Sequence, residues 1–201
     1  MDSGLLVVIS GPSGAGKGTI CKRLKDVMKD LKVSVSATTR EPREGEEEGE
    51  SYFFLKEDEF VTRINNDEFL EYAKVYGNYY GTPKKEVFKQ LEDGNDIILE
   101  IDIQGALQVK KNYPRGVFIF ILPPSLKELQ NRIEGRGTDS KDVILKRMQC
   151  AYDELNYAFE YDYVVLNDEV DVAVEKITCI INAEKNRAIR KKAIINKIRE
   201  V

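Results

Sequence analysis

A continuous apolar run, Leu5-Leu6-Val7-Val8-Ile9, passes through Ser10 into Gly11-Pro12-Ser13-Gly14-Ala15-Gly16-Lys17. Apolar residues at helical spacing follow: Ile20, Leu24, Val27, Met28 and Leu31. Strand, glycine-rich loop and helix in that order restrict the chain to a narrow set of α/β folds. A short run that is apolar on both faces reads as a strand covered on both sides, which is the habit of parallel sheets. The G-x-x-x-x-G-K frame gives the loop its chemistry. Its backbone N–H groups can curl around a phosphate, the helix N-terminus adds a positive dipole end, and Lys17 adds a point charge for β- and γ-phosphates. The hydroxyl that usually follows the lysine is displaced here, because Gly18 holds that position and Thr19 the next. Thr19 is therefore an open candidate for a metal contact, and a Mg²⁺ ion held mainly through water is the alternative.

The rest of the chain keeps the same rhythm. Asp96 to Ile103, Val117 to Leu122 and Tyr163 to Leu166 read as further buried strands. Helices fall between them: Pro83 to Asp93 stops at Gly94, and Ser125 to Glu134 opens on a Ser125/Glu128 capping box. The alternation predicts an α/β core with a parallel β-sheet flanked by helices, made of 1–35, 84–125 and 158–201. Two stretches interrupt it. Residues 36–83 carry Arg-Pro turns, an acidic loop from Glu44 to Glu50 that reads as a solvated turn, and strand-like aromatic pieces at Tyr52-Phe53-Phe54 and Tyr76 to Tyr80, which suggests a β-rich insertion. Residues 126–157 are Arg-rich helices around Gly135-Arg136-Gly137, which suggests a helical flap. From Val170 onward one long amphipathic helix, or two, is expected.

Absences narrow the chemistry. The 201 residues contain no histidine, which removes imidazole bases and His-ligated metal sites. Cys21, Cys150 and Cys179 form no CxxC pair and are expected to be reduced thiols. No apolar run is long enough for a membrane span or a signal segment, so a cytoplasmic protein without a membrane partner is expected. With 31 basic and 35 acidic side chains the net charge is −4, so no general basic field points to nucleic acid. The basic tail, Arg187, Arg190, Lys191, Lys192, Lys197 and Arg199, reads as a solvated face. Glu100 and Asp102 would alternate along one buried strand and share a face at its C-terminal end, where ligands of parallel sheets collect. Beside a phosphate loop they read as Mg²⁺ carboxylates. Arg132 and Arg136 share a helical face, with Arg147 further on, and Arg40 and Arg43 bracket Pro42 in the insertion. Fork-shaped cations in both inserted segments suit two anionic substrates.

Several stretches make the resemblance specific. They are Ile9 to Lys17, Val33 to Arg43, Gly77-Asn78-Tyr79-Tyr80-Gly81-Thr82, Leu99 to Gly105, Arg132 to Gly137 and Leu166-Asn167-Asp168. In this order and over nearly the whole chain they resemble the guanylate kinases, P-loop nucleoside monophosphate kinases. The resemblance implies transfer of the γ-phosphoryl group of ATP to GMP, and to dGMP, with Mg²⁺ as cofactor. It implies a core, a GMP-binding subdomain at 36–83 and a LID at 126–157. ATP would lie on Gly11, Pro12, Ser13, Gly14, Ala15, Gly16, Lys17, Gly18 and Thr19, with Asn167 at the adenine. The GMP phosphate would lie on Arg40, Arg43, Tyr52 and Tyr80, and guanine against Ser36, Glu71 and Thr82 with Glu100 nearby. Lys17, Arg132, Arg136 and Arg147 would be catalytic. Glu71 can accept from guanine N1–H and N2–H₂ while Ser36 and Thr82 hydroxyls donate to O6, a pattern adenine mismatches. The phosphate oxygen of GMP is ionised at neutral pH, so no protein base is needed. Two alternatives are a non-catalytic guanylate-kinase-like interaction domain and a related P-loop kinase for another phosphorylated small molecule.

Overall fold

The computed structural model describes residues 4–75, 77–135 and 141–200. Its centre is β1 (Leu6–Ser10), buried at every position, which leads through the glycine loop into α1 (Lys17–Val27). The chain then forms β2 (Lys32–Val33), crosses the insertion, and returns through α3 (Lys84–Glu92), β7 (Ile97–Glu100), α4 (Ile103–Asn112) and β8 (Val117–Leu122). β9 (Tyr163–Leu166) completes an all-parallel sheet of order β2-β7-β1-β8-β9 among the described residues. β1 thus lies between β7 and β8, and its C-terminal end opens where successive connections diverge to either side, the position at which open α/β sheets bind ligands.

Alternating side chains send apolar groups to both faces. On one face Val7, Ile9, Ile98, Ile119 and Val165 pack under α1 and under α7 (Val170–Lys185) through Ile20, Leu24, Val174, Ile177 and Ile181. On the other, Leu6, Val8, Leu99 and Phe118 pack under α3 and α4 through Val87, Leu91, Ala106 and Val109.

The insertion builds a second sheet, β4-β3-β6-β5, from β3 (Ala37–Thr38), β4 (Phe53–Phe54), β5 (Phe69–Val75) and β6 (Asn78–Pro83). Its small core is aromatic: Phe60, on α2 (Glu57–Asn65), stacks on Phe69 at 4.3 Å and on Tyr79 at 5.3 Å. The second interruption folds as a helical arm, α5 (Leu126–Glu134) and α6 (Lys141–Glu154), around Leu129, Ile133 and Ala151. Ser125 caps α5 by accepting from the Glu128 N–H at 3.0 Å, as the capping box predicts. The tail continues past α7 as a 3₁₀ turn and α8 (Lys192–Arg199), which buries none of its residues. Among the described residues, no helix is long and apolar enough to cross a membrane.

Three expectations change. The strand expected from Asp96 to Ile103 stops at Glu100, because Asp102 becomes the N-cap of α4 and Ile103 its first residue. Glu100 and Asp102 therefore do not alternate along one strand. The expected strand Tyr76 to Tyr80 straddles a hairpin turn at Gly77, whose φ is 86°, with Tyr76 outside the described residues. The β-rich insertion also contains the helix α2.

Candidate active site

The glycine loop is shaped by close contact. Gly16 has φ 93°, and a Cβ there would stand 2.3 Å from Asn167 Nδ2, so only glycine lets the loop close against the end of β9. Asn167 Nδ2 donates to the Ala15 carbonyl at 2.7 Å, while its Oδ1 is buried without a partner among the described residues. Lys17, the first residue of α1, curls back so that Nζ donates to the carbonyls of Gly11 at 2.6 Å and Pro12 at 3.1 Å. Burial pulls the Lys17 ammonium below its ordinary pKa, against the charges of Glu100, Glu154 and Asp102, which favour the cation.

Glu100 ends β7 beside the loop, with Oε1 3.4 Å from where a Cβ on Gly18 would be. Burial raises its pKa, opposed by Lys17 and by a hydrogen bond from the Cys21 thiol. That thiol is itself pushed far up, chiefly by burial, and stays a neutral donor. Asp102 uses Oδ1 to accept from the Gly105 N–H at 2.7 Å. Among the described residues, no three His, Cys, Asp or Glu side chains cluster as metal ligands. The donor set that faces the loop is a pair of hard carboxylates, which suits Mg²⁺ shared with phosphates and waters.

The arm brings two of its three expected arginines to the loop. Arg132 Nη2 donates to the Asn167 carbonyl at 3.3 Å and Nε to Glu128 at 3.1 Å. Arg147 Nη2 donates to Ser13 Oγ at 2.6 Å. Arg136 lies outside the described residues. Sequence reasoning missed Glu154, two turns from Arg147 on the same face of α6. Its carboxylate accepts from the Ser13 N–H and faces Lys17 and Asp102, and burial raises its pKa. The i, i+7 spacing from Arg147 is the one signal that could have found it.

On the second sheet, β5 and β6 place Glu71 directly opposite Thr82. Thr82 Oγ1 donates to Glu71 Oε1 at 2.6 Å. Glu71 is 6% exposed. Burial first, and then the Asp102 charge, push its pKa up to about 7 against the stabilising bonds from Thr82. The Thr82 proton is thus already committed to Glu71. Ser36, at the start of the insertion, is half-buried, and its carbonyl accepts from the Phe53 N–H at 2.9 Å.

Arg40 lies over the Tyr52 ring at 5.5 Å, and Tyr52 meets Tyr80 edge-on at 6.1 Å. Arg40 Nη2 donates to both carboxylate oxygens of Glu46, at 2.8 and 2.9 Å. Glu46 also accepts from the Arg43 N–H at 2.8 Å, so part of the acidic loop expected to be a solvated turn in fact holds the arginine pair.

A guanylate kinase family model matches residues 3–184. The chain is 64% identical to a guanylate kinase of Caldanaerobacter subterraneus subsp. tengcongensis over 98% of its length and 96% of the relative's. It is 59% identical to one of Clostridium tetani, over 94% and 91%. In three dimensions it is similar to the crystal structure of guanylate kinase from Anaplasma phagocytophilum, with a TM-score of 0.78, 32% identity and coverage of 94% and 90%. With a family model over residues 3–184 and these relatives along nearly its whole length, the chain belongs to the guanylate kinase family.

Proposed function

We propose that this chain carries out the ATP-dependent phosphorylation of GMP with residues of the glycine loop, the helical arm and the second sheet. The observation that carries the reading is the position of Lys17: its ammonium sits at the loop under the charges of Glu100, Glu154 and Asp102, and the arm arginines reach the same loop region, Arg147 at Ser13 and Arg132 at Asn167. Intact loop, lysine and arginines favour catalysis over a non-catalytic docking role.

The loop from Gly11 to Thr19 cradles the phosphates of ATP, and Lys17 leaves its two carbonyl partners to bind the β- and γ-oxygens. The orphaned Oδ1 of Asn167 is an acceptor for the amino group of adenine. Glu100 and Asp102 hold Mg²⁺ directly or through water. When bound, that ion supplies charge neutralisation at the phosphates.

Arg40, Arg43, Tyr52 and Tyr80 take the GMP phosphate, with Glu46 holding Arg40 in place until it arrives. Glu71 accepts from guanine N1–H and N2–H₂. With the Thr82 proton on Glu71, the donor to O6 falls to Ser36, and Thr82 instead orients the carboxylate. Lys17, Arg132, Arg136 and Arg147 stabilise the charge on the transferring phosphoryl group, and no residue needs to remove a proton.

The test is ADP release with Mg²⁺·ATP and GMP, AMP, CMP or UMP in parallel. Turnover with GMP alone is expected, and Lys17→Ala should lower it by on the order of 10³-fold with the fold retained. Turnover with another monophosphate instead would overturn the guanine site. A Lys17→Ala protein with full activity would overturn the loop assignment.

A further inference from the structure

Among the described residues β5 is an edge strand of the second sheet. An edge strand leaves backbone N–H and C=O groups that the sheet does not pair. Here α4 supplies the partners. Gln108 acts as a clip: its Oε1 accepts from the Tyr72 N–H at 3.2 Å, and its Nε2 donates to the Tyr72 carbonyl at 2.9 Å. Asn112, four residues on, donates through Nδ2 to the Leu70 carbonyl at 3.0 Å. Glu71 lies between the two clipped residues, and Gly105 precedes Gln108 by three on the same stripe of α4. A Cβ on Gly105 would stand 2.6 Å from Glu71 Oε2 and 3.1 Å from its Cδ. Both distances are well inside van der Waals separation, so the Glu71 carboxyl occupies the place of a side chain on α4.

Gly105 is the third residue of α4, and its φ is not positive. Alanine is the better residue for such a backbone, so the helix itself gives no reason for a glycine. The Glu71 carboxyl does. We propose that Gly105 is a positioning residue for guanine recognition: the side chain it lacks is the space that holds the Glu71 carboxyl beside Thr82 and in reach of the base. The inference rests on the reading of Glu71 given above. Glu71 is buried and takes the Thr82 hydroxyl at 2.6 Å, so a carboxyl displaced by a methyl group has to move off that bond. The clash falls on the tip of a side chain, so α4 keeps its place and the carboxyl gives way. The cap survives, because alanine keeps the N–H that Asp102 Oδ1 accepts, and the methyl would meet that oxygen at an ordinary 3.4 Å. The loss therefore falls on GMP and spares ATP.

The experiment is steady-state kinetics with Mg²⁺·ATP and GMP on Gly105→Ala, Glu71→Ala and the Gly105→Ala/Glu71→Ala double variant, with a thermal melt of each. Gly105→Ala should raise KM for GMP at least about tenfold, with KM for ATP within about twofold and the melting temperature not lowered. In the Glu71→Ala background, Gly105→Ala should change KM for GMP by less than about twofold, because no carboxyl is left to displace. If Gly105→Ala lowers the melting temperature, the double variant should recover it. A double variant equally destabilised would overturn the role, since the methyl would then be meeting something other than Glu71. A wild-type KM for GMP in Glu71→Ala would sink the reading of Glu71 and this inference with it. A strongly impaired Glu71→Ala beside a wild-type-like Gly105→Ala would overturn the role of Gly105 alone. So would equal rises in KM for GMP and ATP, or effects that multiply in the double variant.

Discussion

Glu71 carries two opposing demands at the residue scale. The guanine contact proposed for it requires an ionised acceptor, yet burial has pushed its pKa up to about 7. A carboxyl whose folded pKa lies above its unfolded value binds its proton more tightly in the folded state. Its contribution to stability is therefore full below about pH 4.5 and is lost as pH rises through about 7. Guanine recognition runs the other way and improves over the same range. KM for GMP should fall between pH 6 and 8 after allowance for the ionisation of GMP's own phosphate. Glu71→Gln should abolish that component and raise KM on the order of 100-fold. The same substitution should stabilise the free protein at pH 8 by about 2 kcal/mol in urea melts. A pH-independent KM in the wild type would show that Glu71 does not change protonation on binding. Arg40 shows a related economy: Glu46 holds it at 2.8 Å, so in the proposed function the guanidinium is oriented before a phosphate arrives.

At the scale of elements, Asp96 ties three parts of the fold together just before β7. Its Oδ1 accepts from the buried Leu5 N–H at 2.9 Å, and its Oδ2 takes Lys185 at the end of α7 at 2.7 Å. Asp96→Ala leaves the Leu5 N–H without an acceptor and should cost about 2–3 kcal/mol. Asp96→Asn keeps an acceptor and loses only a pair whose lysine is 47% exposed, so it should cost less than about 1 kcal/mol. Equal losses in chemical denaturation would mean that the ion pair, not the N–H, is what matters.

The legible elements are those whose burial is written into consecutive residues: β1, β8, the glycine loop and the cap at Ser125. β2 is two residues long and half exposed, and α2 buries only Phe60, so neither has an apolar stripe to read. The strand at 97 was over-extended because a period-two pattern ran into Asp102, where the cap of a helix took precedence over the alternation. Resemblance to the family implied that Glu71 and Thr82 share one site. The bond between them was not legible, because it depends on hairpin register. Glu46 gained its role from the local fold of its loop and Glu154 from tertiary contact, and each is one acid among many in its segment.

At the scale of the whole molecule, apolar packing is divided among the two faces of the parallel sheet, the aromatic cluster of the insertion and the small cluster of the arm. A structure so divided should open in parts. Amide hydrogen exchange is expected to be slowest in β1, β7 and β8. It should be faster by at least about two orders of magnitude in α5 and α6, whose cluster holds three fully buried side chains among the described residues. Uniform protection across arm and sheet would contradict that division. The sheet order also has a consequence for how the chain is made. β1 pairs with β7 and β8, and its partner Ile97 is synthesised about ninety residues after Leu6. On a ribosome adding about 5–20 residues per second, the first strand waits roughly 5–20 s for its first mid-sheet neighbour. The insertion, closed by local hairpin contacts, can be finished during that interval. The phosphate loop, first among the functional residues to leave the ribosome, is therefore among the last to acquire its shape.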